Sequence, residues 1–365
     1  MSFFKNLLSV FKNVFGIGSS EKKKDNDKGD EKESIAKKFD YDEVITRRKR
    51  LITKHKIIRS IPNTGISGII FSRHTEGAQY SQYQIVMIAD SMLHYQNPDG
   101  GWGKDGHYRI NFSEEEWTKI YENPSEAKYQ RRESDFDNGC TWGHLQYLSH
   151  VYKATKEEIF SESARKALRF IVESQHENGS WENKNHRHIT YNDDVMSGVL
   201  GTILDILNNK RGLYNFLQDL VSELKLEEVY MRGIQCVLDT QIETDGVKGV
   251  WAQQHDHKTL KPTWARSYEM PAYVSRESFG VIRLLRNHLK RYPKDLRVFA
   301  SIDAALDFLR KVRLPDGRFA RYYHLENLRP IFANRDGTIT YDIDDLLPER
   351  RNGYGWIVEC PPDIL

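Results

Sequence analysis

Four short segments of the chain concentrate polar side chains of the kinds that carry out chemistry. Two of them, SDFDNGCT (134–141) and HRHITYNDD (186–194), each place two aspartates just before a predicted helix. Carboxylates at a helix start are favoured by the helix dipole, and an aspartate there is usually a cap. The aspartates would nonetheless form a hard oxygen site for calcium if the two segments met. They are Asp135, Asp137, Asp193 and Asp194.

The third segment, residues 251–271, is rich in ionisable side chains and has no helical periodicity. Its two histidines suggest a transition metal, but they lie beside Lys258 and outside any HExxH-type arrangement, so the sequence does not favour zinc. The side chains of this segment that could act are His255, Asp256, His257, Arg266, Tyr268 and Glu269.

In the fourth segment, residues 318–356, arginines alternate with tyrosines. Arginine binds carboxylates through two parallel hydrogen bonds, and tyrosine supplies a flat face with a hydroxyl, a combination suited to an acidic polysaccharide. Phosphates could use the same groups, and ion pairs with neighbouring acids are the structural alternative. The residues are Arg321, Arg329, Arg335, Arg350 and Arg351, with Tyr322, Tyr323, Tyr341 and Tyr354.

A loose repeat predicts the elements that position these segments. In each copy of the repeat, a helix with periodic apolar residues ends near a glutamine or arginine. A turn that contains glycine follows, and the copy ends at an aromatic residue. The copies run from Gln96 to Trp102, Gln175 to Trp181, Gln241 to Trp251 and Arg313 to Phe319. Roughly seventy residues per copy suffice for a helical hairpin. The pattern predicts helices over 82–95, 142–155, 162–175, 195–208, 226–241, 277–290 and 301–313.

Recurring hairpins that each bury one face predict an all-α, mainly helical fold, an (α/α) toroid of paired helices with a cleft formed by rim loops. A plain helical solenoid without an active site is the alternative.

Composition excludes several classes of protein. Lys and Arg total 54 against 52 for Asp and Glu, a net charge of +2, so no global field favours nucleic acid as a partner. No apolar run approaches the roughly 20 residues that a membrane-spanning helix needs. The odd number of widely spaced cysteines indicates a reducing compartment without a disulfide framework. They are Cys140, Cys236 and Cys360.

The N-terminal region is predicted to be separate from the catalytic domain of residues 41–365. Residues 1–20 have the spacing of an amphipathic helix, which would lie on a membrane surface, dock to a partner or cover the domain's own apolar surface. Residues 21–40 form a charged, flexible linker. Because residues 1–20 lack the features of a secretory signal, we expect a cytoplasmic protein, with membrane-surface association as a further option. The basic residues within 47–59 are interpreted as a solvated helix face.

Taken together, the segments resemble polysaccharide lyase family 10, the pectate lyases. The similar motifs occur in order over most of residues 80–356: GGWGK, DFDNGCT, HITYNDD, MRGIQC, WAQQHD, ARSYEMP, SRESFGV, ARYYHLENLRPIF, NRDG and ERRNGY. The resemblance implies a toroid-like fold and a calcium-dependent β-elimination that cleaves a uronate-containing, pectate or polygalacturonate-like chain.

The resemblance also implies roles for single residues. Elimination at a uronate removes the proton next to the carboxylate, which is weakly acidic until the carboxylate is neutralised and the intermediate stabilised. A guanidinium with a pKa above about 12 is a poor base, so Arg266 is either an unusual base or a stabiliser of the anion. The implied roles are calcium binding by Asp137 and Asp193, catalysis by Arg266, and substrate binding by Arg321, Arg335 and Lys104.

Two segments depart from the family pattern, NGSWENKN (178–185) and YVSRESFG (273–280), so the subsites are expected to differ and Arg276 could serve a more anionic chain. Three alternatives remain open. A uronyl epimerase would remove the same proton and return one from the other face. A lyase-like enzyme would act on capsule or envelope polysaccharide. A non-catalytic acidic-sugar-binding module would use the same groups without turnover.

Overall fold

Helices dominate the residues that the structure, a computed structural model, describes: 46–47, 50–51, 82–104, 133–182 and 187–365. The prediction of a mainly helical fold is confirmed. All these residues belong to one compact unit, Asp40–Leu365. The predicted N-terminal helix of residues 1–20 and the linker of residues 21–40 lie outside the described residues. Among the described helices, none is long and apolar enough to cross a membrane.

The helices follow the predicted order closely. Two match the predicted bounds, whereas α3 and α8 begin about a turn earlier than predicted, and the short α5 and α9 were not predicted. At α8 the earlier start is explained by the Asp295 side chain, which accepts a hydrogen bond from the backbone of Arg297. The helices are α1 Gln82–Tyr95, α2 Trp142–Thr155, α3 Glu158–Glu173, α4 Val195–Leu207, α5 Gln218–Glu223, α6 Leu226–Asp239, α7 Ser275–Arg291, α8 Leu296–Val312 and α9 Pro348–Gly353.

Short strands fasten the loops between helices rather than forming a layer. Each described strand has two residues and pairs with one antiparallel partner: β1 with β4, β2 with β3, β5 with β7, β6 with β10, and β8 with β9. The strands are β1 Ile189–Thr190, β2 Glu243–Thr244, β3 Val247–Lys248, β4 Gln254–His255, β5 Tyr273–Val274, β6 Phe319–Ala320, β7 Tyr322–Tyr323, β8 Phe332–Ala333, β9 Ile339–Thr340 and β10 Ile357–Val358.

The sequence repeat is also a repeat of hydrogen bonds. In the first copy, the Gln96 side-chain amide donates to the backbone carbonyls of Gly100 (2.8 Å) and Ser163 (2.9 Å). It therefore closes its own turn and fastens that turn to α3. The same two bonds recur from Gln175 to Gly179 and Val229, and from Gln241 to Gly249 and Ser301.

The turn requires glycine at a point where it touches a helix. Gly100 has a φ of +98°, and a Cβ there would lie 2.5 Å from the carbonyl oxygen of Lys166 in α3. The aromatic residues that close the turns anchor them in the core: the fully buried indoles of Trp102, Trp181 and Trp251 donate to the carbonyls of Met92, Ile171 and Val237.

Two loops share one backbone pattern, and we name them by the residue at their base: the histidine loop (253–266) and the tyrosine loop (321–334). The His255 imidazole accepts a hydrogen bond from the backbone N–H of Ala252, and the Tyr323 hydroxyl accepts one from Ala320. Further along, Leu260 and Leu328 both adopt a left-handed conformation, with φ of 60° and 58°. The loops are therefore structural counterparts.

Candidate active site

Two tight turns bring the aspartates of the first two segments together. The turns Asp137–Gly139 and Asn192–Asp194 lie side by side, close before α2 and α4. Asn138 and Asp193 have left-handed φ values of 53° and 50°, which asparagine and aspartate tolerate better than most residues. The predicted meeting of the two segments is thus observed.

Asp137 is the most perturbed carboxyl group of this site. It is almost fully buried, and the ammonium group of Lys104 donates to its Oδ2 atom. Its Oδ1 atom is buried and accepts no hydrogen bond from the described residues. Burial first, and then the nearby carboxylate of Asp193, raise the pKa of Asp137 to about 7, although Lys104 acts in the opposite direction.

These carboxylates fit a calcium ion. A buried carboxylate oxygen without a donor, next to a second carboxylate, is stabilised by a hard cation that prefers oxygen ligands. The Oδ1 atom of the buried Asp135 accepts hydrogen bonds from the backbone N–H groups of Phe136 (2.7 Å) and Asp137 (3.2 Å), so it holds the turn that carries Asp137. Lys104, predicted to bind substrate, lies against Asp137.

A buried hydrogen-bond network connects Asp193 to Arg321. The Asn192 amide donates to Asp193 (2.9 Å), and its carbonyl accepts from Gln253 (2.6 Å) and Arg321 (3.3 Å). Arg321 also forms a buried ion pair with Glu277, in which both side chains are 4% exposed. Arg321 is therefore held by the protein itself. The substrate-binding role expected of it stays a prediction.

Arginines and tyrosines of the fourth segment stack in one cluster. The Tyr322 hydroxyl donates to Gln253 (2.9 Å) and bonds the hydroxyl of Tyr354 (2.6 Å). The Tyr354 ring contacts the guanidinium groups of Arg321 and Arg350, each 4.7 Å from its centroid. Cation–π contacts of this kind keep arginine charged and oriented.

Tyr268 continues the cluster to the predicted catalytic residue. The guanidinium groups of Arg350, Arg266 and Arg335 lie 4.4, 5.2 and 5.9 Å from its ring centroid. Arg335 is largely exposed and lies 3.3 Å from Glu349. Arg266 and Arg335, both predicted from the resemblance, are thus brought to the same tyrosine ring.

Arg266 is charged in this arrangement. About half of its side chain is exposed, and it lies 2.5 Å from the Oε1 atom of the buried Glu269. Partial burial alone would lower the pKa of Arg266, but the bond to Glu269 outweighs it and raises the pKa above its ordinary value. The guanidinium is suited to stabilising an anion here, and it could act as a base only after leaving Glu269.

His255 takes no part in such chemistry. It is fully buried, its Nε2 accepts from Ala252, and its Nδ1 lies 2.9 Å from the carbonyl oxygen of Leu260. Burial lowers its pKa to about 4, so the imidazole is neutral and structural.

Several residues of the network were not predicted from the sequence. Their side chains are uncharged or ion-paired, and they contact other residues of the site. Only their position inside the motifs quoted above could have indicated a role for them. Asn192 precedes the aspartates of NDD, Gln253 lies in WAQQHD and Glu277 in SRESFG.

Comparisons with solved structures define the class of protein. The chain has the fold of a family 10 polysaccharide lyase from Cellvibrio cellulosa, with a TM-score of 0.66 and 23% sequence identity over 81% of this chain and 91% of that one. A mutant of that lyase in complex with trigalacturonic acid gives a TM-score of 0.65 and 23% identity over 80% and 91%. No curated protein matches the chain significantly.

The pectic acid lyase family model matches residues 96–319 and 316–365. The chain therefore belongs to the pectic acid lyase family and is a polysaccharide lyase of the pectate type.

Proposed function

We propose that the chain is a calcium-assisted lyase that cleaves a uronate-containing, pectate or polygalacturonate-like polysaccharide by β-elimination. The observation that carries this proposal is the pairing of Asp137 with Asp193 in a site that is continuous with the Arg266 cluster. A cation and arginines both bind carboxylates, and the trigalacturonic acid in complex with a mutant of the Cellvibrio enzyme supports an acidic substrate.

Asp137 and Asp193 would hold the calcium ion. Bound there, the ion would neutralise the uronate carboxylate and so make the neighbouring proton more acidic. Lys104 occupies the same carboxylate in this structure, so it would have to move aside, and it would then be free to bind a uronate carboxylate.

Arg266 would stabilise the negative charge that develops as hydroxide or another group takes the proton, before the bond to the leaving sugar oxygen breaks. A charged guanidinium held by Glu269 and Tyr268 is preorganised for this task, because its orientation need not change during the reaction. Arg335, on the same tyrosine, would bind a second carboxylate of the chain.

We also propose that the paired helices close into an (α/α) toroid, with the site on loops of one rim. The glutamine bonds that fasten each turn to a later helix support a regular array. The domain is proposed to act in the cytoplasm, with residues 1–20 as a membrane or partner contact. Fractionation of cells that produce full-length protein, and liposome sedimentation with and without residues 1–38, test both ideas.

The deciding experiment is incubation with a panel of uronate polymers, including polygalacturonate and capsule-type polysaccharides. A lyase produces an unsaturated, ultraviolet-absorbing end on one polymer class. An epimerase produces no such end but incorporates deuterium from heavy water at the uronate. Binding without either change would identify a sugar-binding module and contradict the proposal.

Calcium dependence is tested in the same assay. We expect chelation to abolish activity and calcium, rather than magnesium or zinc, to restore it, because the ligands are carboxylates. Asp137→Asn should weaken the calcium response strongly, whereas Asp135→Asn, the matched control, should leave it nearly unchanged. Restoration by zinc alone would contradict the assignment.

A further inference from the structure

A second group of possible metal ligands lies away from the carboxylates of the active site. One ligand atom from each of His188, Asp256 and His257 lies within 4.8 Å of the others. Among the described residues, no other group of this composition comes together so closely. The group joins two segments that are far apart in sequence.

Strand pairing explains why the three side chains meet. In the β1–β4 pair, Ile189 faces His255 and Thr190 faces Gln254. His188 and Asp256 are the next residues on the two antiparallel strands, so they meet just beyond the last paired residues. His257 follows at the start of the turn in the histidine loop.

Hydrogen bonds within the protein hold the loop at two of the three ligands. The Asp256 Oδ1 atom accepts from the backbone N–H groups of Lys258 (3.1 Å) and Thr259 (2.7 Å), and the described contacts leave its other oxygen available. The His257 carbonyl accepts from the side chain of Asn178 (3.0 Å), which ties it to the neighbouring turn.

His188 supplies the observation that points to a ligand. Its Nδ1 atom is buried from solvent and has no hydrogen-bond partner among the described residues. A buried ring nitrogen without a partner is costly, and a bound metal ion or a water held by one would satisfy it.

From this arrangement we propose that His188, Asp256 and His257 form a binding site for a zinc-like transition-metal ion, separate from the proposed calcium site. Two imidazoles and one carboxylate suit zinc, whereas calcium prefers oxygen ligands alone. Three protein ligands leave a fourth position for water. The ion would clip the start of β1 to the histidine loop, which also carries Arg266.

The tyrosine loop provides an internal control. It has the same backbone pattern, but His324 stands in place of Asp256 and Leu325 in place of His257. His324 accepts a hydrogen bond from the backbone of Glu326 (3.2 Å), so it has a partner within its own turn. A histidine in a loop of this shape is therefore not enough to make the site.

The test uses full-length protein stripped of metal and titrated with Zn²⁺ by calorimetry, and with Co²⁺ by visible absorption. We expect one ion per chain, with the strong absorption of four-coordinate cobalt and a higher melting temperature in zinc. His188→Ala combined with His257→Ala should weaken binding by more than about 100-fold, since each removes a ligand. His324→Ala should bind like the unmodified protein.

Asp137→Asn and Asp193→Asn separate this site from the calcium site, because zinc binding should survive both substitutions. No zinc binding by the unmodified chain, or equal binding by the double variant, would overturn the proposal. In the second case histidines elsewhere in the chain would be the ligands. Failure of the calcium assay leaves these measurements unaffected.

Discussion

The histidine loop and the tyrosine loop have the same backbone pattern and similarly buried first residues, but their final residues have different surroundings. In the tyrosine loop the aromatic side chains are buried: Phe332 is 4% exposed and packs in a core cluster with Trp356. At the corresponding position of the histidine loop, Trp264 is 46% exposed. The last part of the tyrosine loop therefore belongs to the core, whereas the last part of the histidine loop presents Trp264 to solvent.

Corresponding positions also differ in charge. Gln253 of the histidine loop stands where the tyrosine loop has Arg321, and Arg266 stands where it has Asn334. The Asn334 side chain accepts a hydrogen bond from the backbone of Leu347 (3.0 Å), whereas Arg266 reaches the Tyr268 face. The same backbone position therefore holds a structural asparagine in one loop and the predicted catalytic arginine in the other.

The largest effect should follow Arg266→Lys, which removes the planar fork but keeps the charge. We expect kcat to fall by about 10³-fold with a much smaller change in KM, because the interaction strengthens only as the anion develops. Initial rates of ultraviolet-absorbing product measure this. The control is Arg329→Lys in the tyrosine loop, whose guanidinium stacks on Tyr341 at 4.1 Å.

Glu269→Gln distinguishes the two roles of Arg266. If Arg266 stabilises the anion as a cation, loss of its partner should lower kcat at every pH. If it is the base, the lower pKa should shift the pH profile toward lower pH and raise the rate there. Near-normal turnover of Arg266→Lys would contradict both roles.

The next largest effect should come from the buried ion pair of the tyrosine loop. Arg321→Ala leaves the Glu277 carboxylate buried without its partner and should lower the free energy of unfolding by about 3–4 kcal/mol. Denaturant unfolding measures the loss. Arg335→Ala, at an exposed position, should change stability by less than about 0.5 kcal/mol but raise KM. A purely kinetic effect of Arg321→Ala would show that it binds substrate directly.

Truncation of the two matched aromatics should have different consequences. Phe332→Ala should cost about 3 kcal/mol of unfolding free energy because it opens a cavity in the core cluster. Trp264→Ala should barely change stability and should raise KM, since an exposed indole can stack on a sugar ring. Equal losses of stability would show that the loops are not so different.

The last effect depends on the protonation of a single carboxyl group and appears only at high pH. The pKa of Asp137 is raised from 3.8 to about 7, so the folded state binds a proton more tightly than the unfolded state does. The contribution of this proton to the free energy of unfolding is complete below about pH 4 and is lost as the pH rises through 7. Without metal, Asp137→Asn should therefore melt several degrees higher than the unmodified protein at about pH 8, but not at about pH 5. Calorimetric melting in chelator measures this difference, and saturating calcium should reverse it.

The sequence predicted local features better than distant contacts. Hydrophobic periodicity placed α1 and α2 at their observed bounds, and the repeated glutamine and tryptophan positions correspond to repeated hydrogen bonds. The short α5 and α9 were missed because each has six residues, too few for a periodic signal.

The hydrogen-bond and ion-pair network around Arg321 could not be predicted from such local patterns. Arg321 meets Glu277 across 44 positions and Asn192 across 129, and no local pattern reports such pairs. The resemblance placed Asp137, Asp193 and Arg266 in the right neighbourhood, but their roles are still predictions. The pairing of Arg266 with Glu269, by contrast, is local: the two residues lie three positions apart in one turn, and the sequence analysis did not predict it.

The repeated turns that a glutamine side chain closes have a consequence for how the length of such a chain can change during evolution. Gln175 and Gln241 each hold a carbonyl in their own turn and another in a later helix, so consecutive copies are joined by identical backbone acceptors. In the last copy, the Arg313 guanidinium donates a hydrogen bond to the Gly317 carbonyl (2.9 Å). Among the described residues it donates none to a later helix. If one whole repeat unit were duplicated or deleted, each glutamine side chain would still find its two backbone carbonyl acceptors. Gene rearrangement could therefore lengthen or shorten the array one helical hairpin at a time.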